Sequence, residues 1–246
     1  MRNFFLKGVY VTVSAFVVIF LAVPFVKASL ISEPQSQPQS QSQVQTTADK
    51  DRAAFYESVN SFLVVQDKTK KPTKDDIINA ASLMAFVAGT ADTIGAHIPP
   101  HTTLTQITEE VVRYALADIK KDSSSQIVIA VLRQKYNDPK FTQHSFLEVG
   151  GFVRFVPPFL TVEGDMQKGI DSNVTSWVGA VSFMSYIMGV LDANSTAFGQ
   201  EPKHQIGQCT SAVTKTLVET SKSLSRKEWN NFGMTPMNLV VTAACF

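Results

Sequence analysis

The sequence has few charged residues and none of the short motifs of common enzyme classes. Only 17% of the 246 residues are charged, and the net charge is +1 with no block of like charge. A surface of this kind offers no basic stripe for nucleic acid. A Gly-rich phosphate loop, a GxSxG elbow and an HExxH helix are all missing from the chain. We therefore expect neither an enzyme, nor a bound cofactor, nor a nucleic-acid partner.

The chain has only four histidines, and their spacing does not predict a metal site. His97 and His101 are four residues apart, but Pro99 and Pro100 lie between them. Two consecutive prolines prevent the helical face that would bring the two imidazoles together. The sequence predicts an exposed loop here and no metal.

The N-terminal segment, residues 1–28, has the pattern of a secretory signal peptide. Arg2 and Lys7 precede an apolar run from Val9 to Val23. The small-residue pattern that ends at Ala28 predicts cleavage after that residue. The run is shorter than the roughly 20 residues of a spanning helix. We predict export to the periplasm, with an uncleaved anchor in the inner membrane as the alternative and the only membrane contact.

Residues 29–50 contain a Gln/Ser/Pro tract with almost nothing to bury. Such a composition predicts a disordered linker. The linker either holds the folded part away from a membrane or is a neutral remnant behind the signal.

The folded part contains an internal repeat. The stretch from Ala81 to Asp92 returns one hundred positions later, from Val181 to Asp192. Ser, Met, Gly and Asp are identical in register, and a glycine kept inside a helix suggests close approach of another backbone. The two aspartates are predicted to be solvated or bonded to a loop backbone, since a catalytic pair would require them to be adjacent.

The sequence pattern of each copy predicts four helices. In the first copy these are Asp51 to Val65, a Thr73-capped helix to Gly95, a Thr103-capped helix to Lys121, and Gln126 to Tyr136. In the second copy we expect Ser172 or Asp171 to cap the long helix, a loop between Ser225 and Thr235, and a closing helix from Met237 to Phe246 behind the Thr235-Pro236 cap. The predicted fold is all-α, with tandem four-helix modules at 51–137 and 155–246, a connector at 138–154 and a pseudo-two-fold axis.

The repeat also places the only two cysteines, Cys209 and Cys245. Cys209 takes the inward position of Ile107 at the start of a third helix, and Cys245 ends the fourth helix. The start of one helix meets the end of the next in an antiparallel pair, and an exported chain tolerates disulfides. We expect a Cys209–Cys245 disulfide, with two buried thiols as the alternative. A nucleophilic Cys209 with His204 as its base is disfavoured by this placement.

Three runs in the first copy resemble the Rap/Tai group of immunity proteins: LMAFVAGTAD, IPPHTTLTQITEEVVRYALADIKK and SSQIVIAVLRQKY. The resemblance covers about residues 55–137 and, more faintly, 155–246. Family members are typically single units with cysteines beside the third and fourth helices. This chain has two units, only the second has the pair, and His101 stands where the family has glycine.

The resemblance implies a small all-helical periplasmic protein that inhibits a cell-wall amidase effector of type VI secretion. Inhibition of this kind is by occlusion, in which a loop or helix end fills the toxin's active site. The candidate partner-binding loops contain His97, Pro99, Pro100 and His101 in the first copy, and Ser195, Thr196, Gln200 and His204 in the second.

Other readings stay open beside this one. Either a duplicated member keeps the fold without the partner, or its two copies replace a homodimer that single-unit relatives would form. A homo-oligomer of the chain is also open. An accessory or structural periplasmic protein, such as a secretion-apparatus component or a chaperone-like binder, is the alternative function. A hydrolase is the third.

Overall fold

The computed structural model describes residues 47–117, 122–141 and 145–246. The predicted signal peptide at 1–28 and most of the predicted linker at 29–50 lie outside these residues. The first helix begins at Thr47, so the last four residues of the predicted linker are helical.

The described residues form α-helices and contain no β-strand, which confirms the all-α prediction. The first half contains α1 (Thr47–Gln66), α2 (Lys74–Ile94), α3 (Leu104–Ala117) and α4 (Ser124–Lys135). The second half contains α5 (Val149–Phe152), a 3₁₀ turn (Val153–Phe155), α6 (Val156–Gln167), α7 (Val174–Phe198), α8 (Ile206–Ser223), α9 (Arg226–Gly233) and α10 (Met237–Cys245).

The helix α2 begins and ends where the sequence indicates. The Thr73 hydroxyl accepts from the Asp76 backbone N–H at 3.1 Å, and the Asp76 carboxylate accepts from the Thr73 N–H at 2.8 Å. This reciprocal capping box satisfies two of the free donors at the helix start. Gly95, at φ 66°, then ends the helix in the left-handed conformation that glycine adopts without strain.

The predicted cap of α7 is wrong by one or two residues. Asn173 caps the helix through its Oδ1, which accepts from the Ser176 N–H at 3.0 Å. Ser172 instead donates to the Asp165 carboxylate at 2.6 Å. Asp171 forms an ion pair with Lys74 at 2.7 Å, so long-range partners decided which of three neighbouring polar residues caps the helix.

The stretch between Ser225 and Thr235 is also not the predicted loop, because it forms α9. Ser225 and Glu228 make a capping box at its start. Trp229 and Phe232 then pack against the core of the second half. The following helix, α10, has Pro236 rather than Thr235 as its N-cap residue.

The long apolar helices α2 and α7 lie side by side at the centre and run parallel. Lys74 and Asp171 join their N-terminal ends, the Ser82 and Ser185 hydroxyls share a hydrogen bond of 2.7 Å midway, and Thr90 Oγ1 lies 3.4 Å from the Gly189 carbonyl oxygen further along. Both helices therefore finish at the same end of the molecule, which we call the loop end.

The two repeated glycines lie where these helices cross. A Cβ atom at Gly89 would overlap the Tyr186 carbonyl oxygen, and one at Gly189 would overlap the Phe86 carbonyl oxygen. Only glycine permits this backbone contact. The contact confirms that the glycines let another backbone approach closely.

The core divides into two clusters that share α2. One cluster gathers Phe55, Phe62 and Ile107 with other apolar residues of the first half. The other gathers Phe152, Phe183 and further residues of the second half, together with one face of α2. The helices α2 and α7 are long and apolar enough to cross a membrane by composition, but most of each is buried inside the protein, as in a core helix.

Candidate functional site

The loop end carries both of the segments that the sequence singled out for partner binding. The first is the loop at residues 95–103, which follows α2, and the second is the loop at residues 199–205, which follows α7. Because α2 and α7 are parallel, the structure places the two loops at one end of the bundle. Among the described residues, no hydrogen bond joins one loop to the other.

The first loop is held at its base by His97. Its backbone N–H donates to the Tyr136 carbonyl oxygen at 2.8 Å, where α4 ends. Its ring Nδ1 lies 2.6 Å from the Phe141 carbonyl oxygen. Two contacts to the chain after α4 therefore fix where the loop leaves the body of the protein.

The tip of this loop is a tight turn with one strained residue. The Thr102 N–H donates to the Pro99 carbonyl oxygen at 3.1 Å, so Pro99 to Thr102 forms a β-turn. Pro100 is its second residue, and His101, its third, has φ 71°. This is the type II pattern, which favours proline at the second position and glycine at the third. The structure thus gives a physical reason for the glycine that the family resemblance leads one to expect at His101.

The second loop is tied down in the same manner. The Lys203 N–H donates to the Cys245 carbonyl oxygen at 2.8 Å, at the end of α10. The Ser195 hydroxyl donates to the Gln200 carbonyl oxygen at 2.9 Å. Ser195, Gln200 and His204 are exposed.

Thr196 is exposed as well but joins the two halves. Its hydroxyl shares a hydrogen bond of 2.8 Å with the buried Ser125 at the start of α4. This predicted contact residue is therefore engaged within the protein.

The cysteines form the predicted disulfide. Cys209 and Cys245 are fully buried and bonded to each other, with their Cα atoms 5.2 Å apart. The sulfur of Cys209 is not available as a nucleophile for His204. No group of three His, Cys, Asp or Glu side chains in the described parts of the chain could hold a metal ion.

Asp92 clasps the connector to both halves of the molecule. Its carboxylate accepts from the Phe146 and Leu147 N–H groups at 2.7 and 3.3 Å, from the Ser145 hydroxyl at 3.1 Å and from the Tyr186 hydroxyl at 2.8 Å. Burial raises the pKa of Asp92 to about 6, although all four donors act in the opposite direction. The hydrogen bond to loop backbone that the sequence indicated is confirmed for this residue.

Asp192, its counterpart in the repeat, is held differently. It accepts no hydrogen bond from a residue that the structure describes. Burial, and the nearby carboxylate of Asp51 on α1, raise its pKa to about 6. Asp192 interacts with the carboxylate of Asp51 and not with Asp92. The Asp92 carboxylate is hydrogen-bonded to the connector and to Tyr186.

A small cleft between the halves was not foreseen. It opens beside the Ser82–Ser185 hydrogen bond, and we call it the serine cleft. Eight residues of α1, α2, α4 and α7 line it: Phe55, Ser58, Ser82, Leu83, Phe86, Ser124, Ser185 and Met188. The signal was faint, because Ser58, Ser82 and Ser185 appear in the sequence only as polar interruptions of apolar stripes.

The arrangement as a whole presents two anchored loops and one small, mostly apolar cleft on a helical frame. Such features can bind another molecule by shape and hydrogen bonds. No protein-family model, curated protein or solved structure matches the chain.

Proposed function

We propose that this chain is an exported helical protein that binds a protein partner and blocks it by occlusion, without chemistry of its own. In its specific form the proposal is an immunity protein that inhibits a peptidoglycan amidase effector of type VI secretion. The loop end is the proposed contact surface.

The observation that carries the proposal is the presentation of both loops at one end of the frame. The first loop is fixed at its base by His97 and tightened at its tip by Pro100 and His101. A loop that is already ordered loses little conformational entropy when it enters a cleft of another protein. Strain at an exposed turn is also a feature that accompanies ligand clamps.

We further propose that the chain is a tandem duplication of a four-helix module about a pseudo-two-fold axis. The reciprocal approach of Gly89 and Gly189 supports this arrangement. So do the matching ties of His97 to the end of α4 and of Lys203 to the end of α10. The second module then differs by the inserted helix α9.

Export to the periplasm belongs to the same proposal. The Cys209–Cys245 disulfide supports it, since disulfides persist in oxidising compartments. An anchored form at the inner membrane would place the loop end in the same compartment.

The test is co-expression in the periplasm with a secreted toxin encoded beside this chain. We expect the chain to protect the cells and to co-purify with the toxin. Failure of both results would overturn the immunity proposal.

A matched pair of variants locates the contact surface. Pro100→Asp changes the tip of the first loop and should weaken toxin binding at least tenfold, because a buried unpaired charge is costly. Glu163→Lys changes the charge on α6, away from both loops, and should leave binding unchanged. Equal weakening by both variants would place the contact elsewhere.

A further inference from the structure

The second loop has a weaker attachment to the body of the protein than the first loop. All of its residues, 199–205, are exposed. Within the described parts of the chain, residues 201–204 take part in one hydrogen bond, in which the Lys203 N–H donates to the Cys245 carbonyl oxygen at 2.8 Å. An exposed segment with few buried contacts opens easily. The order of this segment therefore depends on the position of one carbonyl group.

The position of that carbonyl group depends on the disulfide. Cys245 is the last residue of α10, a helix of nine residues, and the last carbonyl groups of a helix have no partner within it. Such helix ends fray. A hydrogen bond from Asn194 to Thr242 also reaches this turn, but at 3.4 Å it is long. Cys245 is bonded to the buried Cys209, which lies four residues after Gln205, the last residue of the loop. One covalent bond thus joins the acceptor carbonyl to the segment where the loop ends.

The first loop has attachments of another kind. Ala96 and Ile98 are buried among the apolar residues of the first half. The His97 N–H donates to the Tyr136 carbonyl oxygen at 2.8 Å, and the His97 Nδ1 lies 2.6 Å from the Phe141 carbonyl oxygen. Neither the packing nor these two contacts involves a cysteine. The two loops should therefore differ in their response to reduction.

We propose that oxidation of Cys209 and Cys245 orders the second loop, so that the loop end becomes a complete binding surface only in an oxidising compartment. The inference rests on the proposed partner-binding function and adds a condition to it. Formation of the bond by exchange transfers two electrons and two protons from the cysteine thiols to the disulfide of an oxidoreductase, which becomes a dithiol. In the reduced chain the end of α10 frays and Lys203 loses its acceptor. The chain thus reaches its binding form after export and not before it.

The test compares the oxidised chain with the double variant Cys209→Ala/Cys245→Ala by NMR, without any partner. Amide hydrogen exchange and backbone order parameters are measured for both loops. We expect the Lys203 amide of the variant to exchange about tenfold faster, because its acceptor is released. The order parameters of residues 200–204 should fall below about 0.6, the range of flexible backbone. The exchange rate of the His97 amide should change less than about twofold.

Two further variants make the test specific. Ile107→Ala is the matched control, because it destabilises the first half by removing a fully buried side chain and leaves the disulfide intact. It should not change the exchange rate of Lys203. Lys203→Pro keeps the disulfide and removes the N–H donor. It should loosen the second loop as much as loss of the disulfide does. Because residue 203 is exposed, this variant tests the inference even if the double cysteine variant does not fold.

An unchanged Lys203 exchange rate in the double cysteine variant, equal loosening of both loops, or equal loosening by Ile107→Ala would each overturn the inference. So would a second loop that stays ordered in Lys203→Pro. These measurements need no toxin, so they are separate from the test of the immunity function. A chain whose second loop responds to the cysteines but that protects no cells loses the immunity function alone. A chain that protects cells equally well with and without the disulfide loses the redox condition alone.

Discussion

Both halves of the molecule contribute a central helix with a glycine at the crossing, but they stabilise their outer helices differently. Each half presents a glycine at the crossing of α2 and α7. In the second half, a disulfide ties α8 to α10 and the additional helix α9 packs on the core. In the first half, Ile107, which the proposed duplication aligns with Cys209, is fully buried without any covalent tie. The first half is thus stabilised without a covalent tie, whereas the second adds a cross-link.

The two aspartates at matching positions of the repeat, Asp92 and Asp192, differ in their surroundings. Asp92 is surrounded by donors from the connector and from Tyr186, whereas Asp192 faces another carboxylate. The residue one hundred positions before Tyr186 is Phe86, which has no hydroxyl to offer. That difference accounts for one of the four donors to Asp92, and the other three come from the connector.

Removing the disulfide should have the largest effect. The double variant Cys209→Ala/Cys245→Ala should lose about 3–4 kcal/mol in the free energy of unfolding, since the bond closes a loop with a sequence separation of 36. Urea denaturation followed by circular dichroism measures the loss. Hydrogen exchange should quicken in α8 and α10 more than in α3 and α4, and uniform quickening would contradict a difference between the halves.

Gly89→Ala and Gly189→Ala should each cost about 3 kcal/mol, because the added Cβ overlaps a backbone carbonyl and forces α2 and α7 apart. Gly164→Ala in α6 is the control. Its Cβ would meet nothing within 4 Å, so this variant should gain up to about 1 kcal/mol from helix propensity. Unequal costs at the two crossing glycines would break the equivalence of the halves.

Tyr186→Phe makes the second half resemble the first at this position. The variant removes a donor to the Asp92 carboxylate and should cost about 2 kcal/mol at pH 8, where Asp92 is ionised. The cost relative to the parent chain should shrink at pH 4.5, where most of Asp92 is protonated because its pKa is about 6. A cost independent of pH would show that the hydroxyl does not stabilise the charged form.

Asp192→Asn should stabilise the protein by about 1–2 kcal/mol at pH 7. Because folding raises the pKa of Asp192 from 3.8 to about 6, its favourable contribution is complete below pH 3.8 and is lost as the pH rises through 6. The gain of the variant should therefore vanish near pH 4. Chemical denaturation across this range measures it, and a loss of stability at pH 7 would mean that the carboxylate has a partner in the fold.

His101→Gly should give the smallest effect, a gain of about 0.5–1 kcal/mol. Glycine adopts the positive φ of this turn without strain, although it also loses more backbone entropy on folding. Thermal unfolding is the measurement. His101→Ala keeps the strained conformation and should show no gain. An equal gain from alanine would mean that the imidazole itself, rather than the backbone, is the source of strain.

Much of the fold could be predicted because its signals are local. The helix class follows from apolar periodicity, the start of α2 from the Thr73 capping box, and the glycine crossing and the disulfide from the internal repeat. The cap of α7 and the helix α9 were mispredicted. In the first case Asp171 and Ser172 were engaged by distant partners, and in the second the packing of Trp229 and Phe232 made a polar stretch helical.

The candidate site divides in the same way. The sequence by itself determined most of the helices, the repeat, the cysteine pair and the two loops, because spacing along one chain is enough to specify them. Only the tertiary structure decided that α2 and α7 run parallel and present both loops at one end. It alone placed Ser58, Ser82 and Ser185 around one small cleft. Those neighbours lie far apart in sequence, and their meeting depends on the packing of whole helices, for which no local pattern exists.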